Sequence, residues 1–151
     1  MKFICSKCRH EEELSTRKPR CDCGGLWKLN FTPPKFDEAL IDKATWNIFR
    51  YRKFMPLIDD SWKAVTLGEG MTPIIRFNDD VLLKMDYFMP TLSFKDRGAA
   101  VLVAHCKSIG VDAVIRTQAA MRVTLWRLIA GAWASAVKFS FPTTRAIKKS
   151  T

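Results

Sequence analysis

The cysteines at the start of this chain limit its fold more than any other feature. They form two pairs, Cys5-Ser6-Lys7-Cys8 and Cys21-Asp22-Cys23, with a charged segment between them. A segment of about thirty residues cannot bury enough apolar surface to hold itself together and needs a staple. Paired thiolates at this spacing suit tetrahedral zinc, a d10 ion that accepts four soft ligands. Gly24 and Gly25 follow the second pair and let the backbone turn tightly around a metal. Residues 1–30 are therefore expected to form a zinc-ribbon-like module, with Cys5, Cys8, Cys21 and Cys23 holding one structural zinc ion. Reduced, unligated cysteines are the alternative. Disulfides belong to oxidising compartments. The chain shows neither a leader segment nor an apolar run of bilayer length, so the expected location is cytoplasmic. His10 sits among charged residues near the knuckles, as an exposed side chain or a spare ligand. Cys106 lies in an apolar helical stretch and reads as a core residue.

Beyond the module the chain divides by composition. Residues 31–66 read as a linker and packing arm: Pro33-Pro34 marks the linker, 37–48 a short helix capped by Asp37, and 49–66 an arm carrying Tyr51, Phe54, Pro56 and Trp62. Pro73–Phe77 and the apolar run Val81–Met85 read as strands, the second a buried one, and Asn78-Asp79-Asp80 as the turn of a hairpin. A helix is expected from Ser93, whose hydroxyl can accept an orphan N–H of the first turn. It should stop at Gly110, with His105 as a core histidine, and a further strand should run over Val111–Arg116. Strand, helix, strand in that order predicts an α/β fold with a parallel sheet and a right-handed crossover. Ligands of such sheets bind beyond the carboxyl ends of the strands.

Lys95 falls at that position, at the head of the helix. The helix dipole disfavours a cation there, and a lysine that is also desolvated has a lowered pKa and becomes a nucleophile. A solvent-facing lysine is the plainer reading of the same position.

The motifs around Lys95 add a resemblance. Pro90-Thr91 followed by Ser93-Phe94-Lys95-Asp96-Arg97-Gly98 resembles the lysine motif of threonine synthases, fold-type-II pyridoxal-phosphate enzymes related to threonine dehydratase and cysteine synthase. Leu67-Gly68-Glu69-Gly70-Met71-Thr72-Pro73 resembles the LGEGxTP turn of that family, and Phe49-Arg50-Tyr51-Arg52 with Pro56 its RY…LP lead-in. Met89 and Leu92 depart from the commonest pattern, which has Asn and Gly there. Threonine synthases of this type often begin with a similar cysteine module.

The resemblance implies a fragment of a fold-type-II domain over residues 67–117. It implies that Lys95 holds pyridoxal phosphate covalently and then moves protons, with O-phosphohomoserine and water as substrates and threonine and phosphate as products. Asp96 and Arg97 would orient the turn, and Thr72 would have a structural role near the site. The family also needs a Ser-Ser-Gly-Asn type loop and a later glycine-rich phosphate loop. This chain has neither, so no turnover is expected from it alone. The resemblance leaves the oligomeric state open.

The formal net charge of +10 would suggest an anionic partner, but its distribution argues against one. All 15 acidic residues lie at or before Asp112, while residues 118–151 carry Arg122, Arg127, Lys138, Arg145, Lys148 and Lys149. A zinc-ribbon nucleic-acid binder and a membrane-surface protein using the basic tail are the competing classes. No nucleic-acid motif follows the knuckles, and the tail lacks a clean apolar face, so neither partner is expected. The break near Thr117 has another reading in the genetic code. Taking the third base of each codon from Thr117 with the first two bases of the next permits SSGNAGDSLA, the missing loop, and Met121 and Trp126, with single codons, comply. On this reading residues 118–151 are translated out of frame and should lack an evolved core.

Overall fold

Short segments on either side of the cysteine pairs form a three-stranded antiparallel sheet. The structure is a computed structural model and describes residues 1–111, 113–116 and 136–139, the last two stretches as backbone. Its first unit runs Met1–Asp60 and its second Ser61–Thr151.

In the first unit, strands β1 (Phe3–Cys5), β2 (Glu11–Glu12) and β3 (Trp27–Leu29) are ordered β2-β1-β3. Phe3 pairs with Glu12 on one side and Leu29 on the other. Arg9 turns with a φ of 64° and Gly24 with 76°, so both knuckles use left-handed backbone. The helix expected over 37–48 does not form. Asp37 does cap, its carboxylate accepting from the Ala39 N–H at 2.9 Å, but it starts only the 3-10 turn Glu38–Leu40. Asp42 accounts for the break. Its carboxylate accepts from the Ala44 N–H (3.0 Å), the Thr45 hydroxyl (2.6 Å) and Arg52 (2.5 Å). A side chain bonding its own backbone two residues on competes with helix. A second 3-10 segment, Ile48–Phe54, buries Ile48 and Phe49.

The second unit begins with a 3-10 segment ending at Ala64 that buries Trp62. The hairpin forms as β4 (Ile74–Arg76) and β5 (Leu82–Lys84), antiparallel, with Ile75 opposite Leu83. Asn78 closes the turn by accepting from the N–H groups of Asp80 and Val81. The run Val81–Met85 is not a buried strand: Leu82 is 64% exposed, because β5 pairs only with β4 among the described residues and neither hairpin face is covered.

Helix α1 spans Asp96–Ser108, not from Ser93. The Ser93 hydroxyl accepts from the Lys95 N–H at 3.3 Å and so caps the turn before the helix. The C-terminus stops as expected. Gly110, at φ 66°, donates to the Lys107 carbonyl and Val111 to that of Cys106, the paired bonds of a Schellman motif. Ala100, Val103 and Ala104 form its buried stripe. His105 is partly covered, which lowers its pKa, and burial pushes the Cys106 thiol up.

Strand β6 (Ala113–Arg116) pairs in parallel with β7 (Ala136–Phe139), Ala113 opposite Ala136. The parallel pairing thus joins β6 to β7, and among the described residues β5 and β6 share no sheet. Within residues 118–151 the described backbone is that of β7, where the apolar residues Ala136, Val137 and Phe139 suit a strand. The rest of 118–151, and the tail readings made on it, lie outside the described residues.

Candidate functional site

The four cysteines of the module converge. Their sulfurs all lie within 4.8 Å of one another, with Cys5 Sγ 3.5 Å from Cys23 Sγ and Cys8 Sγ 3.6 Å from Cys21 Sγ. Four sulfurs at about 2.3 Å from one tetrahedral ion stand about 3.8 Å apart, so this set can hold a metal ion. β1 delivers Cys5 and the first knuckle Cys8, while the Gly24-Gly25 turn folds Cys21 and Cys23 back beside them. A Cβ at Gly25 would stand 2.4 Å from Cys5 Sγ, so this glycine is required by close approach. The Lys7 N–H points at Cys5 Sγ from 3.4 Å. Hydrogen bonding from the Cys8 backbone, ahead of that from Lys7, brings the Cys5 thiol down to about 6 against the cost of its burial. Cys21 is pushed up to about 12: the Cys23 N–H favours its thiolate, but burial and the facing thiols outweigh it. Four thiolates at this spacing need a cation among them. His10 is exposed, its Nε2 3.6 Å from Glu12, and is not one of the converging groups.

Lys95 occupies the N-cap position of α1, as expected for the head of the helix, but it is exposed and not desolvated. Its Nζ lies 4.5 Å from the centroid of the Phe94 ring. The turn beneath it is held by polar side chains. Asp96, fully buried, accepts from the Thr91 N–H (2.8 Å) and the Thr91 hydroxyl (2.6 Å). Arg97 donates to Asp86 through Nε (3.3 Å) and Nη2 (2.9 Å), and through Nη2 to the Thr72 hydroxyl (3.2 Å). Thr72 in turn donates to Asp86 at 2.7 Å, and Lys84 to the Thr72 carbonyl at 2.5 Å. The Arg97 guanidinium, then the Thr72 hydroxyl, hold the Asp86 carboxyl below the usual carboxylate range. The structure thus ties the LGEGMTP turn to the lysine turn through Thr72, Asp86 and Arg97. Sequence reading did not find Asp86, which lies in neither motif.

Glu69 was also missed as a buried group. Its Oε2 accepts from the Leu67 N–H (2.7 Å) and the Thr66 hydroxyl (3.0 Å), so the carboxylate closes its own turn. Its Oε1 is buried with no hydrogen-bond partner among the described residues. Gly68 and Gly70, at φ 83° and 111°, take the left-handed backbone of this turn, and the Gly70 N–H donates to Met89 Sδ at 3.3 Å.

Comparison with known proteins returns threonine synthases. The chain is 32% identical over 122 residues to the threonine synthase of Methanocaldococcus jannaschii, covering 73% of this chain and 30% of the relative. The Synechocystis enzyme is 40% identical over 74 residues, covering 43% of this chain and 19% of the relative. That of Mycobacterium tuberculosis H37Rv is 39% identical over 75 residues, covering 45% and 21%. No family model matches the chain, and no solved structure does. Among the described residues, no helix is long and apolar enough to cross a membrane. By sequence, this chain is similar to the threonine synthases over as much as 73% of its own length, and it spans no more than 30% of the length of these relatives.

Proposed function

We propose that this chain carries the lysine-bearing part of a threonine synthase, an enzyme that converts O-phosphohomoserine and water to threonine and phosphate. One observation carries the reading: the Ser93–Gly98 and Leu67–Pro73 motifs occur in a chain similar to several threonine synthases. Lys95 is the residue that would hold pyridoxal phosphate, which supplies an electron sink when bound. An exposed primary amine at a helix head fits that attachment. Once released, the same amine holds and returns the proton of the substrate carbon. Asp96 and Arg97 are positioning residues, since they fix Thr91, Asp86 and Thr72 around the lysine turn. Cys5, Cys8, Cys21 and Cys23 would bind one zinc ion in a structural site.

On this reading the 151-residue chain alone turns over no O-phosphohomoserine, and residues 118–151 are an out-of-frame translation. The nucleotide sequence after Thr117 tests the second point: early stops in the shifted frame, or no Ser-Ser-Gly-Asn loop, would end it. The first test is enzymatic. Pure chain should release no phosphate from O-phosphohomoserine, and a frame-restored protein should release it, with loss of turnover in Lys95→Ala. Full activity in Lys95→Ala, or cofactor trapped by borohydride on a different lysine, overturns the assignment.

A further inference from the structure

The first unit holds a cavity that the metal site leaves unused. Its volume is about 240 Å³, and β1, β3 and the first knuckle line it. The polar part of the lining is Ser6, Arg9, Lys28 and Asn30, and no acidic residue contributes. The ion pairs of this unit explain why its cations are available. Lys2 pairs with Glu11 (3.2 Å) and Glu13 (3.8 Å), and Lys18 with Glu12 (3.9 Å) and Asp22 (3.2 Å). These are all the acids of residues 1–30. Among the described residues, the side chains of Arg9, Lys28, Ser6 and Asn30 have no ion pair and no hydrogen bond. Two positive charges and two neutral donors thus share one cavity. A guanidinium fork beside an ammonium suits the oxygens of a phosphate group.

Arg9 supplies an independent observation. Its backbone is left-handed, at φ 64°, and its N–H donates to the Cys5 carbonyl at 3.2 Å. Glycine takes this conformation freely, whereas a side chain is strained in it. Strain of this kind clusters where a ligand is held, and this arginine lines the cavity. Size narrows the ligand. The volume is below the roughly 300–1,000 Å³ of sites for drug-sized molecules, and a nucleic-acid strand needs a basic groove that follows its backbone. We propose that this cavity binds a single phosphate group, as inorganic phosphate or as a small phosphate monoester. The inference stands on the first unit alone and does not require the threonine synthase reading.

The test titrates inorganic phosphate, and separately methyl phosphate, into the full reduced 151-residue chain at constant ionic strength, with chloride as the balancing anion. Saturable amide shifts at Ser6, Arg9, Lys28 and Asn30 are expected by NMR. Tighter inorganic phosphate would make the free anion the ligand, and tighter methyl phosphate an ester; either supports the site. Lys28→Gln should weaken binding by about tenfold or more, and Lys43→Gln, outside the cavity, should leave it unchanged. Arg9→Gly should lose binding to a similar extent without lowering the thermal midpoint, because it relieves the backbone while removing the guanidinium. That variant keeps the test decisive if Lys28→Gln folds poorly. Shifts that chloride reproduces, unchanged affinity in both variants, or displacement of phosphate by far lower concentrations of random DNA overturns the proposal. So does loss of metal from Lys28→Gln with phosphate affinity intact, which would make the cations a counter-charge for the cysteine sulfurs.

Discussion

The molecule contains two small antiparallel sheets that manage their apolar residues in opposite ways. The β1–β3 sheet has almost no core, since Cys5 and Cys21 are its buried apolar side chains. It gathers instead four sulfurs within 4.8 Å, a set that can hold a metal ion and, with one bound, would link chain segments far apart in sequence. The β4–β5 hairpin has apolar residues in plenty and leaves them in solvent. A metal site can replace a core because its stabilisation does not scale with buried area. An apolar hairpin has no such substitute and is marginal by itself in water. A sheet without a core need not be unfinished, and a sheet rich in apolar residues need not be self-sufficient.

The strongest way to break this comparison is to remove the cross-link. Purified reduced protein should contain one zinc per chain, and Cys21→Ser with Cys23→Ser should contain none. Structural zinc contributes about 10–16 kcal/mol in small zinc-binding peptides, so chelation should abolish the amide protection of 1–30. Helix α1 should keep its own. Equal zinc in the wild type and the double variant would refute the metal site.

In the second unit the corresponding fixed point is Asp96. Removing its carboxylate leaves the Thr91 N–H and hydroxyl without their acceptor beneath the lysine turn. Asp96→Ala should cost about 1–3 kcal/mol, read as a lower midpoint in denaturant, and an unchanged midpoint would remove Asp96 as a positioning residue. The first unit offers a slightly smaller perturbation. Gly25→Ala puts a Cβ against Cys5 Sγ and should weaken zinc retention by about tenfold in a chelator competition, the size expected for a disturbed outer shell. Retention equal to wild type would show that the close approach is relieved at no cost.

The legibility of the two regions differs for physical reasons. The convergence of Cys5, Cys8, Cys21 and Cys23 could be read because metal-ligand spacing is a local pattern in sequence. The Gly110 stop was equally local. The start of α1 was missed by three residues because Ser93 spends its hydroxyl on Lys95, one turn early. The burial of Val81–Met85 was misjudged because burial belongs to whatever covers a strand. Apolar composition shows that a strand can be covered and says nothing of the cover. Asp86 was invisible for a related reason, since its partners Thr72 and Arg97 lie 14 and 11 residues away on other segments.

Asp86 also makes the second unit sensitive to acid. Its folded carboxyl titrates below an ordinary unfolded carboxyl, which has a pKa of about 3.9. The sign is that of a depressed carboxylate: its contribution is fully present above about pH 4 and is lost as pH falls through the lower folded value. Thermal melts from pH 3 to 6 should show this loss in wild type, and Asp86→Asn should flatten that part of the curve. An identical acid limb in the variant would assign the sensitivity to other carboxylates.

The smallest expected effect separates core from uncovered surface. Val103 is fully buried on α1, and Val103→Ala should cost about 2 kcal/mol through lost transfer energy and a cavity. Ile75 is a larger side chain, so counting carbons alone predicts a greater loss for Ile75→Ala. Its neighbours do not enclose it, however, and truncation of an uncovered residue removes little buried area. Ile75→Ala should therefore stay within about 0.5 kcal/mol of wild type by chemical denaturation. It should nevertheless reduce binding of an apolar dye, because the area it removes faces solvent. A loss near that of Val103→Ala would mean that the hairpin is already packed in the isolated chain, and the contrast between the two sheets would disappear.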